Sequence, residues 1–392
     1  IGWSNVGGKV TGSEDKNPVL VSTMSQFLEA MKGTEQRTIY VSGTLTTNAQ
    51  VYVQNAANKT VYGLPGSALA NTTHTSNANN TGVLCIKNCK NIILRNLTFK
   101  GPGAYDIDGK DNLTMQKSTY VWVDHCDFQD GCDGNFDINT ASDNISITWC
   151  RFRYLITPWS GGSGGSNDHR FSDLIGGSDK ATGDEGKLKI TFANCWWDEG
   201  CKERLPRVRY GKIHILNCLY SSSNVGYCIG AGYKSNIYVE NSVYATAATQ
   251  KKPWDCKTSG SYKDYNITLK GCEGTADAQS KSGNNEYFVP SKYYTYKANN
   301  ASEVKSYVSA AAGATLKVSY GAGVSKSRSV SLGDTDGQTT GICDFTEAAK
   351  SVLSTRIFTL KGNEVQTLQP GLNIVKTTYS DGHTDVKKVL KK

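Results

Sequence analysis

Several things are scarce in this 392-residue chain, and each scarcity excludes something. No apolar run approaches the ~20 residues that a membrane-spanning helix needs, so no such span is expected. There is no leucine heptad, no Cys/His pattern with zinc-ligand spacing and no basic tail. A nucleic-acid partner therefore has little support despite a net charge of +8. Leu-rich amphipathic runs are nearly absent, and charged residues make up only 20% of the chain. What is present instead is Ile, Val, Thr and Asn in short segments, punctuated by 40 glycines. That composition predicts an all-β protein. The basic excess leaves an acidic polymer as a candidate partner. The first residue is Ile1, without Met or a signal-like segment, so the sequence reads as a mature or trimmed product.

One template recurs along the chain: two alternating apolar residues, a bend, then a small residue and an aromatic one. It appears at Ile92/Leu94/Leu97/Phe99, Val121/Val123/Cys126/Phe128 and Ile145/Ile147/Cys150/Phe152. It continues at Ile190/Phe192/Cys195/Trp197, Ile213/Ile215/Cys218/Tyr220, Ile237/Val239/Ser242/Tyr244 and Ile267/Leu269/Cys272/Gly274. Successive starts lie 29, 24, 45, 23, 24 and 30 residues apart. The shortest intervals define one coil, and the longer ones carry inserted loops. Alternation of this kind is that of a strand. Strands repeating at this spacing stack in parallel, which predicts a right-handed parallel β-helix. An antiparallel sandwich has no reason to keep residue type by phase. Asn96, Asn194, Asn217 and Asn241 share the bend phase. Cys126, Cys150, Cys195, Cys218 and Cys272 share an inward phase and read as a column of small buried side chains rather than disulfides. The other seven cysteines lie off this column, and some of them could pair in an exported protein.

The ends differ. Thr23-Met-Ser-Gln26 is a capping-box pattern, which predicts a helix over Ser22–Lys32 plugging the N-terminal end. Asn71–Thr81 reads as a surface loop, and Glu303–Ala312 as a short helix. The expected organisation is a β-helix domain over 1–320, a linker over 321–355 whose Gly/Ser-rich part is Gly321–Gly341, and a small β-module over 356–392. Within that module the expected strands are Ile357–Leu360, Leu372–Thr377 and Val386–Leu390. Turns are expected at Lys361–Asn363, Gln369–Gly371 and Ser380–Gly382.

Coil phase also sorts the polar residues. Asp111 precedes Val121 by ten residues; Asp133 and Asp137 precede Ile145 by twelve and eight; Arg204 and Arg209 precede Ile213 by nine and four. These five are expected to stack on one face. Three carboxylates converging there would suit a hard cation such as Ca²⁺. The arginines would form the other wall of an anion-binding cleft. Arg207 is expected to point the opposite way. Singly, each Asp is a common turn residue; the coincidence of phase is what suggests a site.

With these residues in place, three blocks resemble polysaccharide lyase family 1, the pectate lyases. Val121-Trp-Val-Asp-His125 resembles the family's v-W-i-D-H block, and Asp133-Gly-Asn-Phe-Asp137 its D-G-x-x-D. Arg204-Leu-Pro-Arg-Val-Arg209-Tyr-Gly-Lys-Ile-His214 resembles R-x-P-R-x-R-x-G-x-x-H. The likeness runs from about Val19 to Gly313. It implies a parallel β-helix, calcium held by Asp111, Asp133 and Asp137, catalysis by Arg204 and substrate binding by Arg209. The implied reaction is β-elimination on α-1,4-polygalacturonate, giving 4,5-unsaturated products. One departure stands out. The family usually carries a substrate-binding lysine shortly before an L-I-G sequence. Here Leu174-Ile-Gly176 is present, but Phe171 occupies that position with Arg170 beside it, so Arg170 is the candidate replacement. Retention of all three aspartates argues against a calcium-independent pectin lyase acting on methylated substrate. No separate carboxylate pair points to a hydrolase. A non-catalytic pectin-binding or adhesin solenoid is the alternative. The segment after Arg356 resembles type IX secretion sorting domains through Gly362, Val365, Gly371, Ile374, Val375, Asp381, Gly382, Lys388 and Val389. A secreted or cell-surface monomer is the resulting expectation.

Overall fold

The computed structural model describes residues 2–283 and 286–324, and then 352–359, 362–365, 367, 369–379 and 384–391. The chain forms two compact units, Ile1–Ile342 and Cys343–Lys392. Most of the Gly/Ser-rich segment after 324 and the expected turn at Ser380–Gly382 lie outside the described residues. Among the described residues no helix is long and apolar enough to cross a membrane.

The first unit is a parallel β-helix of three stacked sheets, one of 11 strands and two of 8. In the longest sheet every start of the sequence template stands in register with the next. Ile92 pairs with Val121, Val121 with Ile145, Ile145 with Ile190, Ile190 with Ile213, Ile213 with Ile237 and Ile237 with Ile267. Parallel register puts like residues directly above one another, so the apolar positions fuse into one continuous core. The aromatic positions form a stack inside it. Centroids are 4.8 Å apart from Phe99 to Phe128, 5.1 Å to Phe152, 5.5 Å to Trp197, 4.9 Å to Tyr220 and 4.7 Å to Tyr244. Cys126, Cys150, Cys195 and Cys218 form the buried column as expected, whereas Cys272, expected in it too, is only half-buried. All eleven cysteines among the described residues are free thiols, those off the column included.

The bend between strands needs a residue with left-handed φ. Asn96, Asn194, Asn217 and Asn241 supply it with φ of 60°, 55°, 51° and 46°. Asn tolerates that region because its short side chain bonds to nearby backbone. Asn217 Nδ2 donates to Asn241 O (3.0 Å) and to Asn299 O (2.9 Å). His125 and Trp149 fill the same bend on two coils, and their rings stack at 5.6 Å. On the last coil the bend is Gly271, φ 62°.

The solenoid starts earlier than the template reveals. Three further strands, Val19–Val21, Arg37–Val41 and Ala57–Gly63, precede the one that starts at Lys90. Lys59 takes the place of Ile92 there, its stem buried and its Nζ donating to Glu35 O. The N-terminal helix runs over Met24–Ala30, shorter than expected at both ends. Thr23 caps it through Gln26 N, while Gln26 Oε1 accepts from Ser22 N rather than from Thr23 N. A second helix, Ala301–Ala311, lays Val304, Tyr307 and Val308 over Trp149, Leu219 and Val243. The second unit is a four-stranded antiparallel sheet of Val352–Thr359, Glu364–Val365, Gly371–Tyr379 and Thr384–Lys391.

Candidate active site

One 8-stranded sheet positions the site. Its register aligns Thr114 with Asp137, Asp137 with Leu174 and Leu174 with Arg207. Three residues before each of these, on successive coils, stand Asp111, Gly134, Phe171 and Arg204. This row runs from an acidic end to a basic end.

At the acidic end, Asp111 and Asp137 are both buried. Asp111 Oδ2 accepts from Thr114 Oγ1 at 2.9 Å, while Oδ1 has no hydrogen-bond partner. Asp137 Oδ1 accepts from Leu174 N at 2.9 Å. Burial pushes the Asp111 carboxyl well above its usual range, and the Asp137 and Asp133 charges push it further. Asp137 is raised too, by burial first, with Arg204 opposing and Asp133 adding. Gly134 keeps the space between them open: a Cβ there would lie 2.9 Å from Asp111 Oδ1 and 3.4 Å from Asp137 Oδ1. Asp133 is turned aside. Its Oδ1 lies 3.3 Å from His169 Nε2, and His169 Nδ1 lies 3.2 Å from Asp106 Oδ1. Among the described residues no three His, Cys, Asp or Glu side chains close into a metal cage. The chemistry of the donor set nevertheless fits a hard cation: paired buried carboxylates, an unpartnered oxygen and an unfilled cradle.

At the basic end, Arg204 makes no hydrogen bond or ion pair through its side chain among the described residues; its Cζ lies 4.8 Å over the Phe171 ring. Its φ is 59°, a conformation that recurs at corners throughout this solenoid. Arg209 donates to Asp179 Oδ1 (2.8 Å) and Gly176 O (3.0 Å). Arg170 forms a bidentate pair with Asp168 at 2.7 and 2.8 Å, and Lys202 Nζ is 3.4 Å from the same carboxylate. Phe171, not Arg170, thus stands next to Arg204. Arg207 does not point away. Register puts it in the row of Asp137, half-buried, with Nε lacking an acceptor. Burial and then the Arg209 charge lower its pKa. Arg207 and Arg209 flank the buried Val208, so these two arginines share a side of the chain.

Two participants had no clear sequence signal. His169 and Asp106 lie on an insertion and on a loop outside the repeat. Asp106 gathers the insertion by accepting from Ser166 N (2.7 Å, Oδ2) and Gly164 N (2.8 Å, backbone O). The only hint was the His169-Arg-Phe171 run just before Leu174-Ile-Gly176.

Comparison with known proteins identifies the family. The family model described as pectate lyase matches residues 1–317. A probable pectate lyase B of Aspergillus terreus is 33% identical over 226 residues, 55% of this chain and 60% of that relative. Pectate lyase B of Colletotrichum gloeosporioides is 30% identical over 323 residues, 79% of this chain and 85% of that relative. Among solved structures, the thermostable pectate lyase PL 47 superposes with a TM-score of 0.62 at 19% identity, covering 80% of this chain and 96% of that one. The last is a likeness of fold. The family model's match over residues 1–317, on a chain folded as a parallel β-helix, makes the chain a member of the pectate lyase family.

Proposed function

We propose that this chain is a calcium-dependent pectate lyase that cleaves α-1,4-polygalacturonate by β-elimination, giving 4,5-unsaturated oligogalacturonides. The observation that carries this is the row from Asp111 to Arg204: a buried carboxylate pair with an open cradle at one end, an unpaired guanidinium at the other. Asp111 and Asp137 would hold the calcium, with Asp133 joining once drawn from His169. Calcium, when bound, would neutralise the uronate carboxylate and favour charge forming at the adjoining carbon C5. Arg204 is the proposed acceptor of the C5 proton. The C4–O4 bond then breaks, the leaving sugar departs with O4 and takes up a proton from water, and a C4–C5 double bond remains. A guanidinium is normally protonated, so this role needs a strongly cationic neighbourhood. Arg207, whose pKa is lowered, and Arg209 supply one. Arg209, held by Asp179, is assigned to a substrate carboxylate, and Arg170 to an outer position on the same wall.

Polygalacturonate incubated with the purified protein should develop the ultraviolet absorbance of the unsaturated product, and EDTA should abolish it. No absorbance under any condition would leave a non-catalytic pectin-binding solenoid as the better reading. Absorbance that survives full chelation would overturn the calcium assignment. We further infer a secreted or cell-surface monomer, with the second unit acting as a type IX sorting signal. Loss of export on deleting residues 356–392 in the source cell would support that signal, and unchanged export would remove it.

A further inference from the structure

The sheet that carries Asp137 and Arg207 continues past both of them. On the acidic side the row runs from Asp137 through Thr114 and Cys85 to Tyr52. On the basic side it runs from Arg207 through Gly230 to Asp255. A second row lies two residues further along each strand. It includes Lys87 and Gln116 on the acidic side, and Gly232 and Lys257 on the basic side. Val53, Leu84 and Ile86 belong to the core, so alternation turns Tyr52, Cys85 and Lys87 outward.

The two extensions differ in what they leave open. Tyr52 is 48% exposed. Lys87, on the next coil, is half-buried, and among the described residues its side chain makes no hydrogen bond or ion pair. Gln50 ties the coil of Tyr52 to the acidic pair, its Nε2 donating to Thr114 Oγ1 (3.0 Å) and Asp111 O (3.3 Å). The basic extension offers no such pair. Gly230 and Gly232 have no side chains to present, and Lys257 is already engaged, with Nζ 3.0 Å from Asp255 Oδ2 and 4.0 Å from the Tyr227 ring centroid. An open ring beside a free ammonium suits a uronate unit, whose C–H face stacks on the ring while its carboxylate meets the cation.

We propose that Tyr52 and Lys87 form a distal subsite that takes one galacturonate unit of the same polymer, on the far side of the acidic pair from Arg204. The cleft then grips a long chain from one side only. This rests on the lyase reading of the same cleft. Five steps of register separate Tyr52 from Arg207, a span of about 24 Å at the spacing of neighbouring strands. A trimer seated at Arg204 is too short to reach Tyr52, and an octamer is long enough.

The test measures kcat and KM on galacturonate trimers and octamers for wild type, Lys87→Gln, Lys87→Arg, Tyr52→Ala and, at the opposite end, Lys257→Gln. Calorimetry gives binding of the same oligomers. Wild type should prefer the octamer. Lys87→Gln should lower kcat/KM on the octamer about 10-fold, the scale of one hydrogen bond to a charged group. The loss should appear in KM and leave the trimer unchanged, and Lys87→Arg should restore most of it. Tyr52→Ala should lower the octamer value several-fold, and Lys257→Gln should change neither oligomer. An octamer value unchanged in Lys87→Gln, or an equal fall on the trimer, overturns the subsite. An octamer value unchanged in Tyr52→Ala removes the ring from it. A loss in Lys257→Gln as large as in Lys87→Gln overturns the one-sided grip. If no oligomer yields product, the lyase reading fails, and binding then decides the subsite. Octamer binding weakened by Lys87→Gln but not by Lys257→Gln supports it, and equal octamer binding by wild type and Lys87→Gln overturns it.

Discussion

Two sets of like side chains run along this solenoid on opposite sides of its wall. Inside, Cys126, Cys150, Cys195 and Cys218 stack beside the aromatic ladder, and each sulfur sits near a backbone carbonyl, as Cys150 Sγ does to Thr148 O at 3.5 Å. Outside, Asp111, Asp133 and Asp137 gather near one another with an oxygen left unpartnered. Parallel register makes both, because it places the same phase of every coil at the same point. Stacking like on like stabilises the inner set, where like means apolar, and destabilises the outer one, where like means charged. The contrast separates stability from chemistry. Substitutions on the inner columns should change stability and spare turnover per folded molecule. Those on the outer row should do the reverse.

The largest expected effect tests the outer row. Arg204→Lys keeps the charge but replaces the planar guanidinium with a point-like ammonium. Turnover on polygalacturonate should fall about 10³-fold, on the scale of losing a positioned proton-transfer group, while the melting temperature stays near that of wild type. Retained turnover would remove Arg204 from the reaction. On the inner side, Phe128 touches rings on three sides: Phe99, Phe136 and Phe152. Phe128→Ala should cost about 3–5 kcal/mol of unfolding free energy, the range for deleting a buried aromatic ring. Its kcat at a temperature where it stays folded should match wild type. A kcat loss at full foldedness would mean that the columns also hold the cleft in shape, and the separation would break.

How much of this was legible follows from the same register. Every template start from Ile92 to Ile267 pairs with its neighbour because residue type was kept by phase. The earlier coils were hidden where Lys59 stands at the apolar position and buries only its stem. Asp111, Asp137 and Arg204 were readable as a face, and the unpaired state of Arg204 was not, because pairing depends on side-chain direction. Arg207 was misread because the buried Val208 sets Arg207 and Arg209 on the same side of the chain. His169 lies on an insertion that has no phase at all. Its contacts with Asp133 and Asp106 are products of folding and not of spacing.

Asp124 is a buried charge that is satisfied, so it tests whether charge or lack of partners separates the two sets. Its Oδ2 accepts from Arg95 Nε at 2.6 Å and lies 2.7 Å from His125 Nδ1, and Oδ1 accepts from Thr148 Oγ1 at 2.6 Å. Burial alone would raise its pKa, but His125 and Arg95 overcome that and hold it below the usual carboxylate range. An acid depressed on folding contributes stability that is present above its unfolded pKa of ~3.9 and is lost as pH falls through the lower folded value. Asp124→Asn should therefore cost roughly 3 kcal/mol near neutral pH, the scale of breaking a buried pair. The gap to wild type should narrow in denaturation measured below about pH 4. A gap that stays constant with pH would mean the ion pair is not its source.

The smallest effect has the opposite sign and is the sharpest test of the contrast. Asp111→Asn removes one charge from the outer row while keeping an oxygen for Thr114 Oγ1. In EDTA this should raise stability, on the order of 1 kcal/mol, because a buried charge without a hydrogen-bond partner on one oxygen disappears. Adding calcium should then reverse the order. Wild type gains stability in proportion to the logarithm of the free ion above its dissociation constant, and the variant gains less. Thermal melts of both proteins across a calcium series measure the crossing directly and need no turnover. A variant less stable than wild type even in EDTA would mean that Asp111 is held by its fold like an inner residue, and the outer row would lose its standing as a place where stability is given up for a cation.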